Sequence, residues 1–164
     1  MALIPSEYED FWSQGERLHP EMRRRDHFLE AFAFGDNESM ANELSALVLQ
    51  GVKRATASLA WRYENENAAQ PKPGDLSIVT DWSKKPLCVI QTEAVDIMPF
   101  NEVSEDFART EGEDDGTLES WRRNHTKFFA GECKRLGREP NERMLVLCEG
   151  FRVVYQPSSA RSAA

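Results

Sequence analysis

The chain has 164 residues, 40% of them apolar and 29% charged, with a formal net charge of −8. That length fits a single domain able to bury its own core without disulfide or metal staples. The acidic total disfavours a protein that holds polyanions through overall charge. The opening residues MALIPSEYEDFW show neither an export signal nor a membrane-spanning run, so a cytoplasmic protein is the expectation.

The charge is unevenly placed. Between Glu102 and Glu119 eight acidic residues face Arg109 alone, while basic residues gather at Arg23 to Arg25 and again at Arg122, Arg123, Lys127, Lys134, Arg135 and Arg138. A basic surface can therefore coexist with an acidic total. Cys88, Cys133 and Cys148 are odd in number, far apart and set among apolar residues, the pattern of buried reduced thiols.

Taken in order, Ser6 followed by Glu9 has the form of a capping box, and Tyr8, Phe11, Trp12 and Leu18 make the stripe of a first helix ending near Pro20. Met22 to Phe32 reads as a second helix with its arginines facing water. Phe34-Gly35-Asp36 breaks that pattern, and Asp36 is placed to cap a third helix that carries Met40, Leu44, Leu47 and Val48 as far as Gly51. Ala55 to Tyr63 then reads as a strand with Leu59, Trp61 and Tyr63 on one face. Pro71 to Asp75 is turn chemistry, Leu76 to Thr80 a short strand and Leu87 to Met98 a longer one.

In that longer strand strict alternation places Glu93 on the face of Leu87, Val89, Val95 and Ile97, pointing into the apolar side of a sheet. Ser104 is placed to cap a short helix, and Thr110 to Gly116 reads as a mobile acidic run. Thr117 caps the longest helix, Leu118 to Leu136, with Trp121, His125, Phe128, Phe129 and Cys133 on its stripe. Met144 to Tyr155 reads as a closing strand that includes Glu149, expected to be a structural carboxylate paired with an arginine. The tail from residue 157 to 164 reads as disordered.

Three constellations carry chemistry. Lys53, Thr56 and Glu93 form the first: a carboxylate on an apolar face needs a cation, and a lysine that meets it can activate a neighbouring hydroxyl. Taken alone, that spacing describes a structural buried ion pair better than a reactive group. The second is the basic last helix, whose Arg122, Arg123 and Lys127 could contact a phosphate backbone, with Trp61, Tyr63 and Trp82 as stacking platforms for unpaired bases. The third is Glu111 to Asp115, which lacks the spacing of a calcium loop, while His19, His27 and His125 lack metal-ligand spacing.

Together the segments resemble the ASCH domain family, in its longer bacterial subgroup. The resemblance rests on Phe34-Gly35-Asp36, Gly51-Val52-Lys53-Arg54-Ala55-Thr56, Trp61-Arg62-Tyr63-Glu64, Pro73-Gly74-Asp75, Thr92-Glu93, Trp121-Arg122-Arg123 and Cys148-Glu149-Gly150-Phe151. It implies an α+β fold, a small PUA-like β-barrel flanked by α-helices, over a single domain of residues 1–156 with an N-terminal helical extension. It also implies RNA or a modified nucleoside as partner, bound near Lys53, Arg54, Ser58, Trp61, Tyr63, Arg122, Arg123 and Lys127, and it admits a homodimer. In deacetylating members a lysine, a threonine and a strand glutamate form the active site, which correspond here to Lys53, Thr56 and Glu93. Ser58 stands where those members carry an arginine. That departure ranks a ribonuclease acting on single-stranded RNA, with Mg²⁺ as an optional aid, ahead of an N4-acetylcytidine amidohydrolase and of a non-catalytic RNA-binding module.

Overall fold

The computed structural model describes residues 2–158, so most of the tail expected to be disordered lies outside the described residues. Helix α1 (Glu9–Leu18) follows a short 3-10 turn and lays Trp12, fully buried, against Met22 and Phe28. The expected capping box does not form, because Ser6 lies inside that turn and the Glu9 carboxylate accepts a hydrogen bond from Ser13.

Met22 to Phe32 is not a helix. Two 3-10 turns lead into strand β1 (Phe28–Phe32), and Arg25 is drawn back onto Glu9 and Glu16 of α1. Pairing of β1 with a buried neighbour strand overrides the local helical spacing. Helix α2 (Glu38–Leu49) is capped by Asn37, one residue later than expected, whose side chain accepts from the amide of Met40.

Strand β2 (Ala55–Leu59) is shorter than its reading. Ala60 starts helix α3 (Ala60–Glu66), which ends at Asn67 in the left-handed region, so Trp61 and Tyr63 stand on a helix and not on a strand face. The run AWRYENE contains good helix formers, which outweigh the two aromatics. Strands β3 (Leu76–Thr80) and β4 (Pro86–Pro99), helices α4 (Glu105–Glu111) and α5 (Leu118–Leu136), and strand β5 (Leu145–Tyr155) fall where the sequence places them. Ser104 and Thr117 cap α4 and α5 through their side chains.

The strands form one mixed sheet in the order β1-β3-β4-β5-β2, with β1 parallel to β3 and the other pairs antiparallel. The class is α+β as expected, but the barrel is not closed: β1 and β2 remain edge strands. Adjacent residues of β3 enter different cores, Ile78 packing with α1 and Val79 with the α2 side, which explains why all of β3 is buried. A third cluster places Trp121, Phe129 and Cys133 of α5 on Leu59, Val146 and Cys148. The three cysteines are buried free thiols.

One register detail redirects a site residue. Thr92 pairs with Phe151 and Ala94 with Gly150, so Glu93 is the extra residue of a β-bulge and is exposed. The bulge breaks the period-2 alternation and turns the carboxylate out of the core, correcting the expectation that Glu93 points inward.

Candidate active site

Gly51, at φ +78°, ends α2, and the amides of Val52 and Lys53 both donate to the carbonyl of Leu47. This tight wrap sends the Lys53 side chain inward, where it is 1% exposed. Its Nζ donates to the Ala55 carbonyl at 2.6 Å and lies 5.4 Å from the centre of the Phe34 ring. It stands 3.9 Å from Oε1 of Glu111 and 3.7 Å from Oε1 of Glu113.

Both glutamates come from the run expected to be mobile. Helix α4 stops at Gly112, at φ +67°, and a Cβ there would lie 2.5 Å from the Val52 carbonyl oxygen. The turn that carries Glu111 and Glu113 therefore packs directly on the turn that carries Lys53. The amide of Arg54 ties the same two segments together by donating to the Thr110 carbonyl, while the Arg54 side chain is exposed.

Helix α5 supplies the fourth group. A carbonyl can only accept, so His125 Nδ1 donates to the Trp121 carbonyl at 2.9 Å, and Nε2 is turned toward Glu111 Oε2 at 3.2 Å and Glu113 Oε2 at 3.8 Å. The indole N–H of Trp121 donates to Glu111 Oε2 at 2.8 Å, and its ring stacks on His125 at 4.1 Å. Outside the Glu111–Glu113 pair itself, Glu111 Oε1 and Glu113 Oε2 are buried without a hydrogen-bond partner among the described residues.

Burial alone would push both carboxyls up. At Glu111 the Lys53 charge and the His125 hydrogen bond outweigh burial and hold the carboxyl below the usual range. At Glu113 burial and the neighbouring Glu111 prevail, and its carboxyl is pushed up to about 8. For His125 burial works against the imidazolium, but Glu111 and Glu113 reverse it and raise the value. The cluster thus holds a proton donor beside a fixed carboxylate near neutral pH.

These groups line a cleft of about 670 Å³ between α2 and α5, with Thr56 and Ala57 of β2 along it and Phe34, Trp121, His125 and Phe128 as flat walls. The structure brings Lys53 and Thr56 into this cleft and leaves Glu93 outside it. Ser58 is engaged with the Tyr63 hydroxyl at 2.9 Å. Trp61 packs on the α5 core under the guanidinium of Arg138. Trp82 lines a different groove, along β1. Lys127 reaches the cleft, whereas Arg122 and Arg123 are exposed on α5 and bond to the Asn101 carbonyl and to Asp114.

Glu149 lies directly across from Thr56 on β5 and accepts from the Thr92 hydroxyl at 2.6 Å, so among the described residues its partner is a hydroxyl and not an arginine. Burial raises its carboxyl above the usual value. Sequence reasoning missed Glu111, Glu113 and His125 as a site. Their only signal was indirect: a lysine buried after a helix stop requires carboxylates, and Glu111 and Glu113 flank the next glycine stop.

Glu111, Glu113 and His125 also place ligand atoms within 4.8 Å of one another, as a metal site would. An imidazole in the set suits a transition metal better than magnesium, which prefers oxygen and water ligands. The Lys53 ammonium already supplies a counter-charge there. The set does not fit Mg²⁺.

The sequence profile of the ASCH domain matches residues 30–155. The crystal structure of an ASCH domain from Lactobacillus crispatus JV V101 shares 37% identity at a TM-score of 0.86, covering 93% of this chain and 97% of that one. A protein of Enterococcus faecalis V583 shares 35% identity at a TM-score of 0.73, covering 82% of this chain and 81% of its own. No curated protein matches the chain significantly. No helix among the described residues is long and apolar enough to cross a membrane. With its profile spanning most of the domain and a solved ASCH structure matching nearly end to end, the chain belongs to the ASCH domain family, a PUA-like fold associated with RNA binding.

Proposed function

We propose that the cleft is the active site of an amidohydrolase that removes an acyl group from the exocyclic nitrogen of a modified nucleoside. The observation that carries this reading is the convergence of Lys53, Glu111 and Glu113 in the cleft that Thr56 lines. A lysine, a threonine three residues later and a glutamate line the cleft, and Glu113, from the turn after α4, takes the role that the resemblance gives to Glu93. The cleft volume suits a nucleoside, and its aromatic walls suit a flat base.

In the proposed reaction the Lys53 ammonium first passes a proton to the Glu111 carboxylate, and the resulting neutral amine takes the Thr56 hydroxyl proton as that oxygen attacks the acyl carbon. Glu113, held protonated, delivers its proton to the nitrogen as the C–N bond breaks and the free amine leaves. Water then attacks the threonine ester and gives a proton to Glu113, Lys53 returns its proton to the threonine oxygen as the carboxylic acid departs, and Glu111 restores the ammonium. Glu111 and His125 keep Glu113 and Lys53 in place. Incubating the protein with N4-acetylcytidine and separating cytidine by chromatography tests the reading. Release of cytidine by the wild type and its loss in Lys53→Ala and Thr56→Val supports it, and an unprocessed substrate overturns it.

A second reading is cleavage of single-stranded RNA, favoured by Lys127 at the cleft and by Arg122 and Arg123 exposed on the same helix. It predicts products from labelled RNA that disappear in Lys53→Ala, whereas the amidohydrolase leaves RNA intact.

A further inference from the structure

Strand β1 pairs with β3 on one side and, among the described residues, with no strand on the other. A strand turns its N–H and C=O groups to its two edges in alternation, so pairing with β3 answers only half of those on β1. The opposite edge of the sheet, β2, is covered by α3 and α4. On β1, by contrast, residues 29–33 are all half-exposed. A bulge interrupts only the start of the strand. It carries neither the lysine nor the proline that commonly blunts an edge, and its one charged residue, Glu30, is turned to Arg62 at 3.9 Å.

A groove of about 680 Å³ follows this edge, between the N-terminal segment and the β3–β4 turn, and it shares no lining residue with the cleft around Lys53. Residues 28–33 line it in unbroken succession, which an edge presents and a single sheet face does not. The turn that forms one wall is tied down. The Asp81 carboxylate accepts from the amide of Lys85, the amide of Asp81 donates to the Lys85 carbonyl, and the Tyr8 hydroxyl donates to the Lys84 carbonyl at 2.9 Å. Trp82, 45% exposed, therefore lines the groove as an aromatic surface fixed in advance, the kind of side chain that anchors a partner.

Charge selects among occupants. Glu7 and Asp81 line the groove without an ion pair among the described residues, against Lys84 alone. A second copy of this edge would bring the same acidic excess, and a nucleic acid would bring phosphates to it, although Trp82 by itself could stack a base. A segment that carries lysine or arginine answers the two carboxylates and the Trp82 ring together.

We propose that the β1 edge is a docking site for an extended segment of a partner protein, which adds as a strand beside β1 and sets a lysine or arginine side chain against Trp82, Glu7 and Asp81. The backbone of β1 supplies the hydrogen bonds, and the turn supplies the preference for a basic side chain. This surface is independent of the chemistry in the cleft.

The test is selection of a displayed library of random linear peptides on the full chain, followed by binding of the enriched peptides read by NMR. Enriched peptides carry lysine or arginine among β-branched and aromatic residues, and they shift the amides of residues 28–33 and not those around Lys53. Trp82→Ala weakens them by about tenfold or more. Glu7→Lys weakens them by about threefold or more, and both residues are exposed, so the variants keep the wild-type amide spectrum elsewhere. N-methylation of alternate peptide amides keeps every side chain and removes the strand donors, and it costs at least about tenfold. No enrichment, or enrichment of acidic peptides, overturns the proposal. So does an affinity that Trp82→Ala or N-methylation leaves unchanged, displacement of the peptide by a short single-stranded oligonucleotide, or self-association of the chain through β1 in the absence of peptide.

Discussion

Lys53 Nζ stands 3.7 Å from Oε1 of Glu113, and it spends its short hydrogen bond, 2.6 Å, on the Ala55 carbonyl instead. The ammonium is therefore fixed by the backbone while it neutralises the Glu111 carboxylate beside the protonated Glu113. Its removal leaves Glu111 and Glu113 buried together with only His125 to compensate.

Breaking a buried ion pair by deleting one partner costs about 3–5 kcal/mol. Lys53→Met keeps the apolar stem and deletes only the charge, so its melting temperature at neutral pH should fall by roughly 6–20 °C. The deficit should shrink near about pH 5, where both carboxyls can carry protons. Calorimetry at the two pH values checks this, and equal deficits at both would show that the loss is one of packing.

Glu113→Gln should reduce cytidine release from N4-acetylcytidine by about 100-fold or more, the scale of losing a general acid. Glu93→Gln should leave it within about twofold, because an exposed bulge residue outside the cleft has no route to the reacting atoms. Parallel rate measurements decide which glutamate serves the lysine, and the reverse order would require β4 to re-register.

The gap between these two glutamates shows what a sequence can carry. The helix stop at Gly51, the spacing of Lys53 and Thr56, the caps at Ser104 and Thr117 and the strands β3, β4 and β5 are local signals, and each is legible. Alternation misplaces Glu93 because one bulged residue reverses every side chain beyond it, and a bulge has no signature in an alternating run. Glu111 and Glu113 were hidden inside an acidic run that reads as solvated, since burial there is created by the distant turn at Val52. His125 was visible only as a member of an apolar stripe, and its polar face depends on Trp121 fixing the ring. Strand β1 was lost to helix-like spacing because its pairing with β3 lies far along the chain.

Stability should depend on pH in a direction set by the same cluster. Glu113 ordinarily titrates at 4.5 and is raised to about 8 in the fold, so the folded state holds the extra proton between those values. The stability it contributes is complete below the unfolded value and is lost as pH rises through the folded one. His125, also raised, loses stability in the same direction above its ordinary 6.5. Glu111 acts oppositely: its lowered value costs stability only as pH falls below 4.5. The melting temperature should therefore peak near about pH 5 and decline toward about pH 8. Glu113→Gln should flatten the alkaline decline and leave the acid limb in place. A wild-type profile that rises from about pH 5 to 8 would show that the pair shares no proton in the fold.

Gly112 joins the two carboxylates to the lysine turn, and it does so by lacking a side chain. At φ +67° it adopts a conformation that L residues resist, and a Cβ would sit 2.5 Å from the Val52 carbonyl oxygen. Backbone cannot yield as a flexible side chain would, so Gly112→Ala must push the Glu111 to Glu113 turn away from Lys53. The left-handed strain costs about 1–2 kcal/mol and the clash adds to it, so a destabilisation of about 2–4 kcal/mol is expected. Activity should fall by more than stability explains, because Glu113 and Glu111 shift together. Gly116, with φ +76° and nothing within 4 Å of its would-be Cβ, supplies the control. Gly116→Ala should show the conformational cost alone, with turnover close to wild type in the folded protein. Equal activity losses in the two variants would mean that the approach of Gly112 to Val52 does not hold the site together.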